Sequence, residues 1–121
     1  MVASIGLDFG TTNTVATTIN RDGQAEAFHF THAGERFDAF RSVLCFWQEQ
    51  DAEVRRTCTE AGPWAIDQFL ELVGDCRFIQ SFKTFAASPL FSDTLIYGRR
   101  VRFEDLLSSF LGRVRAHAGA D

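Results

Sequence analysis

Residues 8–13 read DFGTTN. An acid, a glycine, two hydroxyls and an amide fall on one short stretch. Asp8 interrupts an apolar run that begins Ile5-Gly6-Leu7, and β-branched residues resume at Thr14 and Val15. A strand–turn–strand of this make-up can hold phosphate. Gly10 lets the backbone come close to a ligand. The N–H groups of Thr11, Thr12 and Asn13 can converge on phosphate oxygens as in an anion-binding nest. The hydroxyls of Thr11 and Thr12 add donors. A carboxylate at Asp8 would repel bare phosphate, so a cation is expected between them. Magnesium suits the position because it prefers oxygen ligands and keeps several waters. Asp8 is therefore expected to hold Mg²⁺ through water, and the stretch to clamp a magnesium-bound nucleotide.

Two other phosphate-binding patterns are absent. The chain has no G-x-x-x-x-G-K-[ST] loop and no G-x-G-x-x-G turn between strand and helix. Other candidate constellations are weaker. His29 and His32 lack a third ligand nearby in sequence, so a metal pair is not expected. Arg99, Arg100 and Arg102 read as a solvated strand end, and Trp47 and Trp64 as packing residues. One oddity is Lys83: it is the single lysine among twelve basic residues, and it sits between Phe82 and Phe85.

The whole chain bounds these readings. Its 121 residues suffice for one domain or part of a larger one. Hydrophobic residues at 45%, with 13 phenylalanines, can build a packed core. A net charge of −4 argues against a nucleic-acid binder and against attachment to anionic membranes. Cys45, Cys58 and Cys76 make an odd count without a Cys-x-x-Cys pair, which disfavours a disulfide framework or a zinc site. A reducing, cytoplasmic setting is expected. No signal peptide and no bilayer-spanning run is evident.

These residues must be positioned by elements that the pattern suggests. Residues 3–8, 13–20 and 24–30 read as three strands of a β-meander, with Asn20-Arg21-Asp22-Gly23-Gln24 as a hairpin turn. Residues 31–41 read as a loop, residues 42–48 as a strand, and residues 51–60 as a loop and a further strand. A helix is expected over 62–74, opened by Pro63 and closed by Gly74, with Ile66, Phe69, Leu70 and Val73 on its apolar face. Residues 77–85 read as a strand running into a turn, and residues 94–103 as two extended pieces around Gly98. A last helix follows, with Phe103, Leu106, Leu107, Phe110 and Val114 as its stripe. Glu104 and Asp105 in its first turn and Arg113, Arg115 and His117 in its last complement the helix dipole.

The string IGLDFGTTNT, near the amino terminus and opening a meander, resembles the first phosphate motif of the actin-like ATPase superfamily. The segment IQSFKTFAAS and the closing GRRVRFEDLLSSFLGRVRAHA resemble the heat shock protein 70 (DnaK-type) chaperone branch. The resemblance is to a divergent bacterial member. It implies an α/β, ribonuclease H-like lobe: a β-meander with the phosphate loop (residues 1–30), an α/β insertion (31–98), and a return segment with a helix on the meander (99–121). It implies ATP or ADP with Mg²⁺ as cofactors. Gly10, Thr11, Thr12 and Asn13 would bind the phosphates. Asp8 and Lys83 would be the catalytic pair, with Lys83 reaching back to the phosphates and orienting the attacking water.

The pattern of the chaperone family continues beyond what this chain carries. It includes a second phosphate loop, an adenosine-binding segment and a peptide-binding domain. The chain therefore reads as the amino-terminal part of a longer ATPase, binding nucleotide weakly and not turning it over alone. Protein clients or co-chaperones would belong to the longer protein. The open edge of residues 4–8 suggests a homo-oligomer. Alternative readings are an actin-like filament or sugar-kinase relative, or a non-catalytic interaction module that keeps the hairpin as scaffold.

Overall fold

The computed structural model describes residues 5–87 and 93–118. The architecture is mixed α/β, and every strand pairing among these residues is antiparallel. The first sheet is the meander β1 (Ile5–Phe9), β2 (Asn13–Ile19) and β3 (Ala25–Ala27). The turn between β2 and β3 is held by Asn20, whose side-chain oxygen accepts from the amides of Asp22 and Gln24, both at 2.9 Å. Residues 3 and 4 of the expected first strand lie outside the described residues. Among those described, β1 pairs with β2 alone, so its other edge is open.

The third strand is shorter than its alternation suggests. It ends at Ala27, and Phe30 begins a separate hairpin, β4 (Phe30–His32) with β5 (Glu35–Phe37). Residues 31–41 are thus not the expected loop. Ala33 (φ 53°) and Gly34 (φ 80°) are both left-handed, the geometry that matches a two-residue hairpin to strand twist. Phe30 and Phe37 face each other across the pair with ring centroids 5.6 Å apart. Two further residues, β6 (Phe40–Arg41), return to the first sheet and pair with the start of β2.

The second sheet has the order β8-β7-β9, built from β7 (Val43–Asp51), β8 (Val54–Ala61) and β9 (Arg77–Gln80). β7 is central, and its first five residues are buried on both faces. Leu44 and Phe46 join the large core, while Val43, Cys45 and Trp47 join a smaller one. Helix α1 (Gly62–Leu72) lies against the smaller cluster through Ala65. Its expected apolar face holds in part. Gly62 and Ala65 are buried, Ile66 packs against the same cluster, and the Phe69 ring lies 4.6 Å from that of Phe78. Leu70 and Val73 do not follow the expected face: they are 66% and 85% exposed.

A one-turn helix, α2 (Thr84–Ala87), follows β9, and the hairpin β10 (Thr94–Ile96) with β11 (Arg99–Val101) leads to α3 (Phe103–His117). Leu106, Phe110 and Val114 of α3 are buried, as its stripe requires. The large core is aromatic. Phe40 is fully buried and touches Phe30, Trp64 and Phe110, with centroids 4.9, 6.0 and 5.7 Å away. The end of α3 is pinned to β8 by Glu60, which meets Arg113 at 2.6 Å and His117 at 2.9 Å. The His117 ring stacks on Trp64 at 3.6 Å. Among the described residues, no helix is long and apolar enough to cross a membrane.

Candidate functional site

The DFGTTN stretch forms the turn between β1 and β2. The Gly10 amide donates to the Asn13 carbonyl at 2.9 Å. A Cβ at position 10 would lie 2.5 Å from that same oxygen, so the close approach requires glycine. The far side of the turn is fixed by β6. The Ser42 amide donates to the Thr12 carbonyl at 2.9 Å, and the Thr14 and Ser42 hydroxyls, both buried, are 2.8 Å apart. With its carbonyls held from both sides, the turn presents Thr11 and Thr12 outward. Both are exposed, and among the described residues no protein group accepts from their amides.

Lys83 arrives from the second sheet. After β9 the chain reverses at Ser81, which is left-handed (φ 56°) and whose carbonyl accepts from the Thr84 hydroxyl at 2.8 Å. Phe82 is then fully buried against Phe9 and Phe110, at 5.4 and 5.5 Å between centroids. This anchor sets the Lys83 ammonium 5.8 Å from the centre of the Phe9 ring, within reach of a cation–π contact. Phe9 is the residue between Asp8 and Gly10. The fold therefore brings Lys83, Asp8 and the Gly10–Asn13 turn to one end of β1.

Asp8 differs from its expected setting. It is exposed, because β1 is an edge strand and the face shared by Gly6 and Asp8 is open. By strand alternation it leaves β1 on the side opposite Phe9. Lys83 and Asp8 thus flank the turn from two directions. One carboxylate with neighbouring hydroxyls fits a magnesium ion that keeps its waters and takes oxygens from a nucleotide. It does not fit an all-protein cation cage, and among the described residues no group of three or more His, Cys, Asp or Glu side chains could hold a metal. His32 instead bonds Asp67 and meets the Trp64 ring edge-on at 5.1 Å. The three cysteines are free thiols. Arg100 and Arg102 are exposed and pair loosely with Asp93 and Glu104, at 3.6 and 3.7 Å.

Thr11 and Thr12 also line one wall of a cleft of about 110 Å³, with Gln80 and Ser81 on the other wall and Arg41 and Ser42 between them. None of those four is among the site residues expected from the sequence. Nothing in their spacing marks them, since they meet the turn only because β6 pairs with β2 and β9 with β7. No known protein-family model, curated protein or solved structure matches the chain.

Proposed function

We propose that this chain binds the phosphates of a magnesium-bound adenine nucleotide at the Gly10–Asn13 turn, as the first phosphate element of an actin-like ATPase lobe of the heat shock protein 70 type. The observation that carries the reading is the place of Lys83 beside the strand that leads into the turn. The one lysine of the chain, in the turn that follows β9 of the second sheet, has its ammonium 5.8 Å from the centre of the Phe9 ring, and Phe9 directly precedes Gly10. The exposed amides and hydroxyls of Thr11 and Thr12 support it further, as donors suited to phosphate oxygens. When bound, magnesium would neutralise phosphate charge beside Asp8. Lys83 would supply fixed positive charge, of the kind that stabilises phosphoryl transfer. One such element makes half a clamp, so binding is expected to be weak and turnover absent.

The test is thermal melting of the chain with and without Mg-ATP, because a ligand of the folded state raises the midpoint. The wild type should gain stability, and Asp8→Ala and Lys83→Ala should each lose most of that gain. A midpoint indifferent to Mg-ATP would sink the proposal. One observation favours a second reading. Leu70 on α1 and Val73 just past its end, 66% and 85% exposed beside the half-exposed Phe69, suit an interaction module, whose partner would bind regardless of nucleotide.

A further inference from the structure

The cleft beside the turn has a chemistry of its own. It lies where the chain crosses from the first sheet to the second. β6 ends at Arg41, Ser42 follows, and β7 begins at Val43. One wall is the Thr11–Thr12 turn of the first sheet, and the other is Gln80 and Ser81 at the end of β9 in the second. Thr11, Thr12, Arg41, Gln80 and Ser81, with Ser42 and Val43 at the junction, line a space of about 110 Å³; the Ser42 hydroxyl is taken up by Thr14, and the space has room for one tetrahedral anion and not for a whole nucleotide.

Charge separates this cleft from other hollows of the surface. The chain carries a net charge of −4, and three other polar hollows each include a carboxylate: Asp105 in one, Glu49 and Asp75 in the next, Asp38 in the third. The cleft at the turn has none. Arg41 has no ion pair among the described residues, a state it shares with Arg21, Arg36, Arg55, Arg77, Arg99 and Arg115, but of these it alone lines the cleft at the turn. Arg41 is also held in register, directly across the ladder from Asn13. An unpaired guanidinium beside free amides and hydroxyls is the donor set that recognises a phosphoryl group.

We infer that Arg41 is a phosphate-binding residue. It holds a single phosphoryl group in the cleft between the Thr11–Thr12 turn and Ser81, by direct contact and without a metal. The inference rests on the reading of the turn as a phosphate site and adds the residue that supplies its charge. Lys83 then acts from the Phe9 side, and Arg41 from the side of Asn13.

Calorimetric titration with inorganic phosphate in the absence of magnesium, and separately with Mg-ATP, tests it. The variants are Arg41→Ala, Arg41→Lys and, as an exposed arginine away from the cleft, Arg36→Ala. Arg41→Ala should weaken both ligands about tenfold or more, the loss expected of a charge-assisted contact. Arg41→Lys should recover part of that, and Arg36→Ala should change neither. Circular dichroism of each variant shows that the fold is kept. Phosphate binding by Arg41→Ala within about twofold of wild type would overturn the inference. Mg-ATP binding that needs Asp8 and Lys83 but not Arg41 would also overturn it, while leaving the nucleotide reading intact. Arg41-dependent phosphate binding without any Mg-ATP binding would keep the inference and sink the nucleotide reading. No binding of either ligand would sink both.

Discussion

Two glycine turns cap the two ends of β2, and they allow a matched experiment. Gly10 has no room for a side chain, because a Cβ there would lie 2.5 Å from the Asn13 carbonyl oxygen, a backbone atom that cannot swing aside. Gly10→Ala must therefore open the turn and weaken the Gly10 amide bond to Asn13. The lost bond is worth about 0.5–1.5 kcal/mol, and residual crowding adds about 1 kcal/mol. Gly23 is the complement. It has open space around it but a φ of +79°, so Gly23→Ala costs about 1–2 kcal/mol through backbone strain alone. Urea unfolding should show Gly10→Ala destabilised by roughly 1.5–2.5 kcal/mol and Gly23→Ala by roughly 1–2 kcal/mol. Mg-ATP titration should separate them. Gly10→Ala displaces the Thr11 and Thr12 donors and should bind at least about tenfold more weakly, which is about 1.4 kcal/mol. Gly23→Ala should bind as the wild type does. Equal affinity of the two variants would show that the turn geometry is irrelevant to binding, and the reasoning built on it would fail.

Two further outcomes follow from the core. Gly62 has a φ of +60°, and a Cβ there would lie 2.6 Å from two ring atoms of Phe40. Phe40 is wedged among other rings, so Gly62→Ala should cost about 3 kcal/mol in urea unfolding; a loss under about 1 kcal/mol would show that this cluster yields easily. The Cys45 thiol is pushed up from 9.0 to about 12, chiefly by burial and then by its hydrogen bond with Cys76 and the charge there. The folded protein thus keeps a proton that the unfolded chain releases above pH 9, so stability is intact below that pH and falls as pH rises towards 12. The slope is at most about 1.4 kcal/mol per pH unit for this group. Cys58 and Tyr97 are also raised, mainly by burial, and act in the same direction. Unfolding free energies at about pH 8 and about pH 10.5 should differ accordingly, and by less in Cys45→Ala; a flat profile in the wild type would refute the account.

The parts of this molecule that can be read from sequence are those whose physics is local. Helix α3 is one, because a fifteen-residue stripe with acids at its start and bases at its end needs no partner to be recognised. The Asn20–Gln24 turn is another, since Asn20 closes it with its own side chain. Helix α1 shows where locality fails. The spacing of Ile66, Phe69, Leu70 and Val73 marks an apolar face, but spacing does not say how much of it is covered: Ile66 packs inward beside Ala65, while Leu70 and Val73 stay exposed.

The candidate site divides along the same line. Residue type alone nominates Gly10, Thr11 and Thr12 as the proposed donors of the turn, because they are adjacent in the chain. Lys83 stood out only as the one lysine in a chain of arginines, and its approach to Phe9 depends on the burial of Phe82. Arg41 gave no sign at all. It belongs to a two-residue strand, too short for any alternation to register, and it reaches the turn through a pairing made across the fold. A site built at the junction of two sheets is assembled from such pairings. Thr11 and Thr12, contiguous in sequence, mark one wall of the cleft, and Arg41, the one charged residue that lines it, comes from a wall that only folding supplies.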